Sequence, residues 1–214
     1  MSTEIDFEIM ELLTSKICHD LISPIGAINN GMELIEELGM DAGEEALELI
    51  GYSAAQSSAK LQAYRMAYGA GGGDSSIKPE DVHKSIEAIV GAEKKITQEW
   101  DPYAPIGPDE RPEGFAKVLT CALLLCMDCL PKGGTLSVSV TENGSILVTA
   151  AGTDCSTRND MESCLNLSFE KSKLEPKHIH AYVTGLIAKH YDHDIQPYGE
   201  AENTVSFAIA PPAD

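Results

Sequence analysis

The sequence has no long apolar run and no basic leader, and each of these absences excludes a class of protein. The longest apolar stretch, around CALLLCM, is far shorter than the roughly 18 residues that a membrane-spanning helix needs. The N-terminal residues MSTEIDFEIMELL are acidic, whereas secretory and organelle-targeting signals are basic. We therefore expect a cytoplasmic protein that does not insert into a membrane.

Positive charge is also scarce. The chain has 15 Lys and Arg residues against 34 Asp and Glu residues, which gives a formal net charge of -19. Proteins that bind phosphate backbones or anionic lipid present clustered basic residues, so we expect no nucleic acid and no membrane surface as a partner. The acids are densest in the first third, where they either keep the surface solvated or select partners by charge.

Metal-binding and redox motifs are weak. Cys126 and Cys129 have the spacing of a redox or zinc pair, but no second pair follows at a ligand distance. Because they lie in TCALLLCMDCL, a run typical of a buried helix, we interpret them as core residues. Two histidine pairs could form a metal site but lack the His-Glu-x-x-His context: His178 with His180, and His190 with His193. We expect neither a metal nor a cofactor.

The first 69 residues have the pattern of two long helices. Apolar residues at helical spacing run to Leu38, before Gly39, and the turn MDAGEE then leads to a second helix that ends near Gly69. Two such helices cannot bury their apolar stripes on each other alone. We therefore predict that residues 1–69 form an antiparallel hairpin, which pairs with a second copy into a dimeric four-helix bundle.

A Gly-rich segment, GAGGGDSS, separates this hairpin from the rest of the chain. It predicts a flexible linker at residues 70–76 and a second domain at residues 77–214. In that domain, VHKSIEAIVGA, PEGFAKVLTCALLLCMDCL and PKHIHAYVTGLIAKHY predict helices. GGTLSVSVTENGSILVTA predicts a β-hairpin around Asn143-Gly144, with KITQEW, DIQPYG and NTVSFAIA as further strands. The prediction is an α+β protein whose second domain is a two-layer α/β sandwich.

The segment SKICHDLISPIGAINN, residues 15–30, contains the candidate chemical site. At about 100° per residue, His19 shares one face of the first helix with Ser23, Gly26 and Asn30. The apolar residues of the same helix lie roughly opposite: Ile17, Leu21, Ile28, Met32 and Ile35. The pattern therefore predicts an exposed His19. An imidazole with the ordinary pKa of about 6.5 has one nitrogen available as a nucleophile near neutral pH.

Two neighbours of His19 bear on its chemistry. Asp20 could orient the imidazole ring or fix its tautomer, or it could be a solvated surface acid. Pro24 removes one backbone hydrogen bond and is expected to bend the helix just after the site.

The segment HDLISPIGAI resembles the H-[DE]-x-x-[ST]-P box of histidine kinase dimerisation domains, and the chain from residue 77 onward resembles the kinase ATP-binding domain. The likeness of the second part rests on LLLCMDCLPKGGTLSVSV and ILVTAAGTDCS. Leu125 stands where a kinase has its magnesium-binding asparagine, and Ala150 stands where it has its adenine-reading aspartate. Three kinase glycines are replaced: by Asp154, His178 and His180. The resemblance therefore implies that ATP binding and autophosphorylation are lost.

An intact histidine box on such a body is similar to the ChpT-type histidine phosphotransferases of alphaproteobacterial phosphorelays. The resemblance implies a homodimeric phosphotransferase, and not an autokinase, with His19 and Asp20 as its catalytic residues. His19 would take a phosphoryl group from the receiver aspartate of a hybrid histidine kinase and pass it to the receiver domains of response regulators. Mg²⁺ would come with the receiver. The alternative is a non-catalytic dimeric adaptor that docks receivers.

Partner-binding residues are predicted on both helices. Equal distances from the loop near residue 40 place Gln62, Arg65 and Met66 of the second helix beside His19. Arg65 could neutralise the transferred phosphoryl group, or it could be an ordinary surface arginine. The full predicted set is Lys16, Ser23, Ala27, Asn30, Gln62, Arg65 and Met66.

Overall fold

The computed structural model describes residues 6–39, 43–93, 95–107, 111–157, 160–199 and 201–210. The helices are α1 (Phe7–Leu38), α2 (Gly43–Tyr68), α3 (Pro79–Glu93), α4 (Phe115–Asp128), α5 (Met161–Leu165) and α6 (Pro176–His190). The strands are β1 (Ile96–Gln98), β2 (Gly134–Val140), β3 (Ile146–Ala151), β4 (Asp194–Pro197) and β5 (Thr204–Ala210). None of the described helices is both long enough and apolar enough to cross a membrane.

The two predicted long helices are present and form an antiparallel hairpin. Asp20 lies against Tyr64 near the open end, and Gly31 packs against Ile50 near the loop. The turn predicted from MDAGEE includes residues 40–42, which lie outside the described residues. Helix α1 continues through Pro24, which is buried, so the expected bend there remains a prediction.

The apolar face predicted for α1 is only half-buried. The side that was predicted to be polar is exposed at His19, Ser23 and Asn30, as expected. Several large apolar side chains elsewhere on the hairpin also remain exposed. A single hairpin therefore leaves apolar surface unburied.

The second part of the chain is a five-stranded sheet with the order β1-β2-β3-β5-β4. Strand β1 pairs parallel with β2, and the other neighbours are antiparallel. The predicted β-hairpin turns at Asn143-Gly144, where Gly144 has a φ of 82°. Alternate residues of the central strands point into the core, as Val148 and Phe207 do. Since helices α3, α4 and α6 pack against the sheet, the predicted α+β class is confirmed.

Helix α4 is the centre of the core. Every residue from Phe115 to Cys126 is buried, which is the pattern of a helix enclosed on all sides. It packs against the sheet and also against α2, α3 and α6. Cys126 and Cys129 are both buried, and burial raises the pKa of the Cys126 thiol well above its usual value. The interpretation of this pair as core residues is therefore supported.

The Gly-rich segment differs from the prediction. Residues Ala70–Gly73 form a 3-10 helix, and Gly72 and Gly73 are buried. A Cβ atom at Gly72 would lie 1.8 Å from the Met66 carbonyl oxygen, so glycine is required here for close packing. The Gly114 amide also donates a hydrogen bond to the Gly73 carbonyl at 3.0 Å. The expectation of a flexible linker was therefore wrong for this stretch, whereas the domain boundary itself stays a prediction.

Candidate functional site

His19 lies on the exposed side of α1, with 89% of its side chain accessible to solvent. Its Nδ1 atom is 3.3 Å from Oδ1 of Asp20, the next residue in the helix. With Nδ1 engaged in this way, Nε2 is the ring nitrogen open to an incoming group. Ser23 and Asn30 are exposed on the same helix, while Ala27 is half-buried.

Asp20 is held by donors from both helices of the hairpin. Lys16 Nζ donates to Asp20 Oδ2 at 3.0 Å, and the Tyr64 hydroxyl donates to the same oxygen. Burial by itself would raise the pKa of Asp20, but the hydrogen bond from Tyr64 and the Lys16 ammonium outweigh it, so the pKa lies below its usual value of 3.8. Asp20 is thus a carboxylate at neutral pH. It is not the solvated surface acid that the sequence left open.

Tyr64 was missed by the sequence reasoning. Counting from the loop drew attention to the neighbouring positions in α2, whose side chains point elsewhere. The signal that could have found it is its position on the α2 face toward α1, where a tyrosine can bury its ring and extend its hydroxyl to a polar partner. Lys16, which was predicted only as a partner-binding residue, belongs to the same cluster.

The partner-binding residues that were predicted on α2 line a different pocket from the one that Asp20 lines. Gln62, Arg65 and Met66 line a groove of about 480 Å³ between α2 and α3, together with Asp81 and Lys84. Lys16 and Asp20 line a separate crevice. The proposed role of Arg65 toward the phosphoryl group therefore remains a prediction.

The crevice behind Asp20 joins the hairpin to the α/β part of the chain. It measures about 270 Å³, and Lys16, Asp20 and Tyr64 line it from the hairpin. Asp128 and His180 line it from α4 and α6. The α/β part of the chain therefore borders Asp20 and Tyr64 across this crevice.

Four residues that were predicted to replace nucleotide-binding residues of a kinase are engaged in packing or in hydrogen bonds. Leu125 and Ala150 are in the hydrophobic core. His180 Nδ1 is 2.8 Å from Asp128 Oδ2, and His178 Nδ1 accepts a hydrogen bond from the Glu175 amide at 3.1 Å. The cavity bordered by Leu125, Asp128 and His180 is about 170 Å³, which is smaller than the roughly 300–1,000 Å³ of ordinary small-molecule pockets.

The alternative metal site does not assemble. His178 and His180 lie in the first turns of α6, whereas His190 is its last residue and His193 follows it. Within the described part of the chain, no three His, Cys, Asp or Glu side chains are grouped so that they could hold a metal ion.

Known proteins resemble this chain in both sequence and structure. The sequence profile described as "Histidine phosphotransferase C-terminal domain" matches residues 79–201. "Protein phosphotransferase ChpT" of Brucella abortus (strain 2308) is 39% identical over 127 residues, which is 59% of this chain and 58% of that protein. The alignment thus spans less than two thirds of the curated relative.

The solved structure described as "1.7 Angstrom Structure of a Bacterial Phosphotransferase" superimposes with a TM-score of 0.75 and 29% sequence identity, covering 97% of this chain and 98% of that one. The "Acinetobacter baumannii histidine kinase AdeS" aligns over 89% of this chain and 95% of that one, with 12% identity and a TM-score of 0.44.

Proposed function

The chain belongs to the histidine phosphotransferase family, and on this premise we propose that it is an intermediate of a phosphorelay. His19 accepts a phosphoryl group from the receiver aspartate of a hybrid histidine kinase and donates it to the receiver domains of response regulators. The observation that carries the proposal is the geometry of His19, which is exposed on α1 while a carboxylate engages its Nδ1 atom.

In phosphoryl transfer the main role of this chain is to present the imidazole of His19 to the receiver. Phosphoryl transfer depends mainly on positioning and on the stabilisation of charge, and in this proposal the receiver supplies the Mg²⁺ ion. ATP is not a substrate. This part of the proposal is supported by Leu125 and Ala150, apolar core residues at the positions where a kinase binds magnesium and adenine.

A homodimer is part of the proposal. Ile22, Ile25 and Met32 of α1 are exposed and lie within about 80° of one another around the helix. Leu47 and Leu61 of α2 are also exposed and lie within about 40° of one another. Such an apolar surface is typical of an interface, and a second hairpin would bury it in a four-helix bundle. We place the relay in the cytoplasm, where the receiver domains would meet this protein.

The test is transfer of radiolabel from purified receiver domains. Receivers of the hybrid kinases encoded in the same genome are phosphorylated by their own kinase domains with labelled ATP, freed of kinase and nucleotide, and mixed with the wild-type chain or with His19→Ala. We expect acid-labile label on the wild type and none on His19→Ala or on wild type incubated with labelled ATP alone. Absence of label from every receiver would contradict the proposal in favour of a docking adaptor. Labelling by ATP alone would contradict the loss of nucleotide chemistry.

A further inference from the structure

We propose that Tyr64 is a positioning residue for phosphoryl transfer, which holds the Asp20 carboxylate in the orientation that fixes the tautomer of His19. The inference deepens the proposed function and rests on His19 being the phosphoryl acceptor. It concerns three side chains linked by consecutive contacts: the exposed His19 contacts Asp20 of the same helix, and Asp20 contacts Tyr64 of α2.

The two carboxylate oxygens of Asp20 have different partners. Oδ2 accepts hydrogen bonds from the Tyr64 hydroxyl and from Lys16 Nζ, which is 3.0 Å away. Oδ1 faces His19 Nδ1 at 3.3 Å. Two donors on one oxygen determine how the carboxylate plane is turned, and this orientation presents the other oxygen to the imidazole.

Helix geometry shows why the orientation of Asp20 needs a hydrogen-bond donor from outside α1. Adjacent residues of an α-helix point about 100° apart, so neighbours at i and i+1 do not ordinarily face each other. Contact between His19 and Asp20 therefore depends on how the Asp20 side chain is turned. A donor that lies outside α1 can set this orientation independently of α1, and the Tyr64 hydroxyl is such a donor.

Tyr64 is itself restrained by packing. Its half-buried ring lies 5.7 Å from the ring of Tyr68, centroid to centroid, and packs against the hydrophobic core. A tyrosine side chain has only two χ angles, so a packed ring leaves its hydroxyl with little freedom. Tyr64 also lines the crevice whose opposite wall includes Asp128 and His180, so the α/β part of the chain borders the ring that holds Asp20.

The tautomer matters because only an unprotonated nitrogen is a nucleophile. With its proton on Nδ1 and donated to Asp20, His19 keeps the lone pair on Nε2. That lone pair attacks the phosphorus of the receiver's aspartyl phosphate. An N–P bond forms while the P–O bond to the aspartate breaks, and its electron pair returns to the receiver carboxylate. The ring becomes positively charged, and the Asp20 carboxylate stabilises this charge at Nδ1; the second transfer reverses these steps.

The chain provides a matched control. Tyr68 lies one turn beyond Tyr64 in α2 and is likewise half-buried, and its enclosed hydroxyl has no hydrogen-bond partner among the described residues. Tyr64→Phe and Tyr68→Phe remove the same atom, the hydroxyl oxygen, from two neighbouring rings that are tilted toward each other. The two substitutions differ in whether that atom holds Asp20.

The first measurement is the initial rate of label transfer from a phosphorylated receiver. We expect Tyr64→Phe to be about tenfold slower than wild type and Tyr68→Phe to stay within about twofold. Because Tyr64 acts through Asp20, adding Tyr64→Phe to Asp20→Ala should change the rate by less than about twofold. A Tyr64→Phe rate equal to wild type, or a loss that multiplies fully with that of Asp20→Ala, would overturn the inference.

The second measurement needs no receiver. Nitrogen NMR of protein labelled at the histidine rings reports which nitrogen of His19 carries the proton. We expect Nδ1–H in the wild type and in Tyr68→Phe, and a shift toward Nε2–H in Tyr64→Phe, with circular dichroism unchanged. An unchanged tautomer in Tyr64→Phe would overturn the inference while leaving the proposed function intact. Failure of the wild type to accept label would reject the proposed function, and the tautomer would still decide the role of Tyr64.

Discussion

Lys117 is a lysine whose side chain is almost fully removed from water, with 5% of the residue exposed. Its Nζ donates a hydrogen bond of 2.6 Å to the Gly69 carbonyl, immediately after the end of α2, and lies 5.9 Å from the centre of the Tyr191 ring. Burial lowers the pKa of Lys117. The ammonium nevertheless lies at a helix C-terminus, where the helix dipole favours a cation.

Replacing Lys117 tests whether its hydrogen bond to the Gly69 carbonyl outweighs the free-energy cost of burying the ammonium group. We expect Lys117→Met to lower the free energy of unfolding by about 1–2 kcal/mol, because the Gly69 carbonyl loses its charged donor. Urea denaturation measures the change. Lys132→Met is the control, since Lys132 is 63% exposed and pairs with Asp154 at the surface, and it should stay within about 0.5 kcal/mol. An unchanged or raised stability for Lys117→Met would mean that desolvation outweighs the hydrogen bond.

We expect His193 to make the stability of the fold depend on pH. It is buried, its Nε2 lies 3.2 Å from the Glu113 carbonyl oxygen, and burial lowers its pKa below the usual 6.5. The unfolded chain therefore binds this proton more tightly than the folded chain, so stability is lost as the pH falls through 6.5. We expect the urea midpoint to fall between pH 7.5 and pH 5.5, and to fall less in His193→Gln, which keeps an N–H donor. An equal fall in both proteins would assign the loss to other histidines.

At the scale of elements, the close approach of α5 to α6 depends on one glycine. A Cβ atom at Gly185 would lie 2.1 Å from the backbone oxygen of Leu165, and a backbone atom cannot move aside as a side chain does. Gly91 in α3 has no atom within 4 Å of the same position. The two glycines therefore differ only in their surroundings.

This contrast gives a paired prediction. We expect Gly185→Ala to lower the free energy of unfolding by about 2–3 kcal/mol through overpacking. Gly91→Ala should raise it by up to about 1 kcal/mol, because alanine favours the helix. Thermal or urea unfolding of both variants measures the effects. If Gly185→Ala were as stable as wild type, α5 would have to shift away from α6 at no cost.

The length and period of an element determine how well the sequence predicts it. Helices α1 and α2 carry apolar residues over many turns, and the β-hairpin has a Gly at a position with positive φ, so local pattern was sufficient. Helix α5 has only five residues, which is too short for a helical period to be recognised. The glycines at 72 and 73 indicate flexibility when local pattern alone is considered, but they are needed for tertiary packing.

The features of the site also differ in how far the sequence predicts them, according to whether they depend on one helix or on two. The exposure of His19 depends on one helix, and the periodicity of α1 predicted it. The environment of Asp20 depends on how α2 is rotated against α1, and counting residues from a loop does not determine that rotation. The helical position of Tyr64 could have indicated that it faces α1, but its hydrogen bond to Asp20 could be recognised only with both helices in place.

At the scale of the whole molecule, the hairpin is tied to the α/β part at separate points. Asp6, before α1, forms an ion pair of 2.8 Å with Lys171, which precedes α6. Lys117 of α4 bonds to the end of α2. Neither contact involves the exposed apolar residues of α1 and α2. The apolar surface that these residues form is therefore available to a second copy.

The proposed dimer predicts a mass in solution of twice 22.9 kDa. Ile22→Glu combined with Leu61→Glu should shift the protein toward the monomer, because charge would enter a desolvated apolar interface from positions that are now 68% and 57% exposed. Tyr103→Glu is the control, since Tyr103 is 79% exposed but lies outside the hairpin. Light scattering after gel filtration measures the mass. A wild-type monomer at micromolar concentration would contradict the four-helix bundle. An intact dimer in the double variant would mean that the interface lies on another surface.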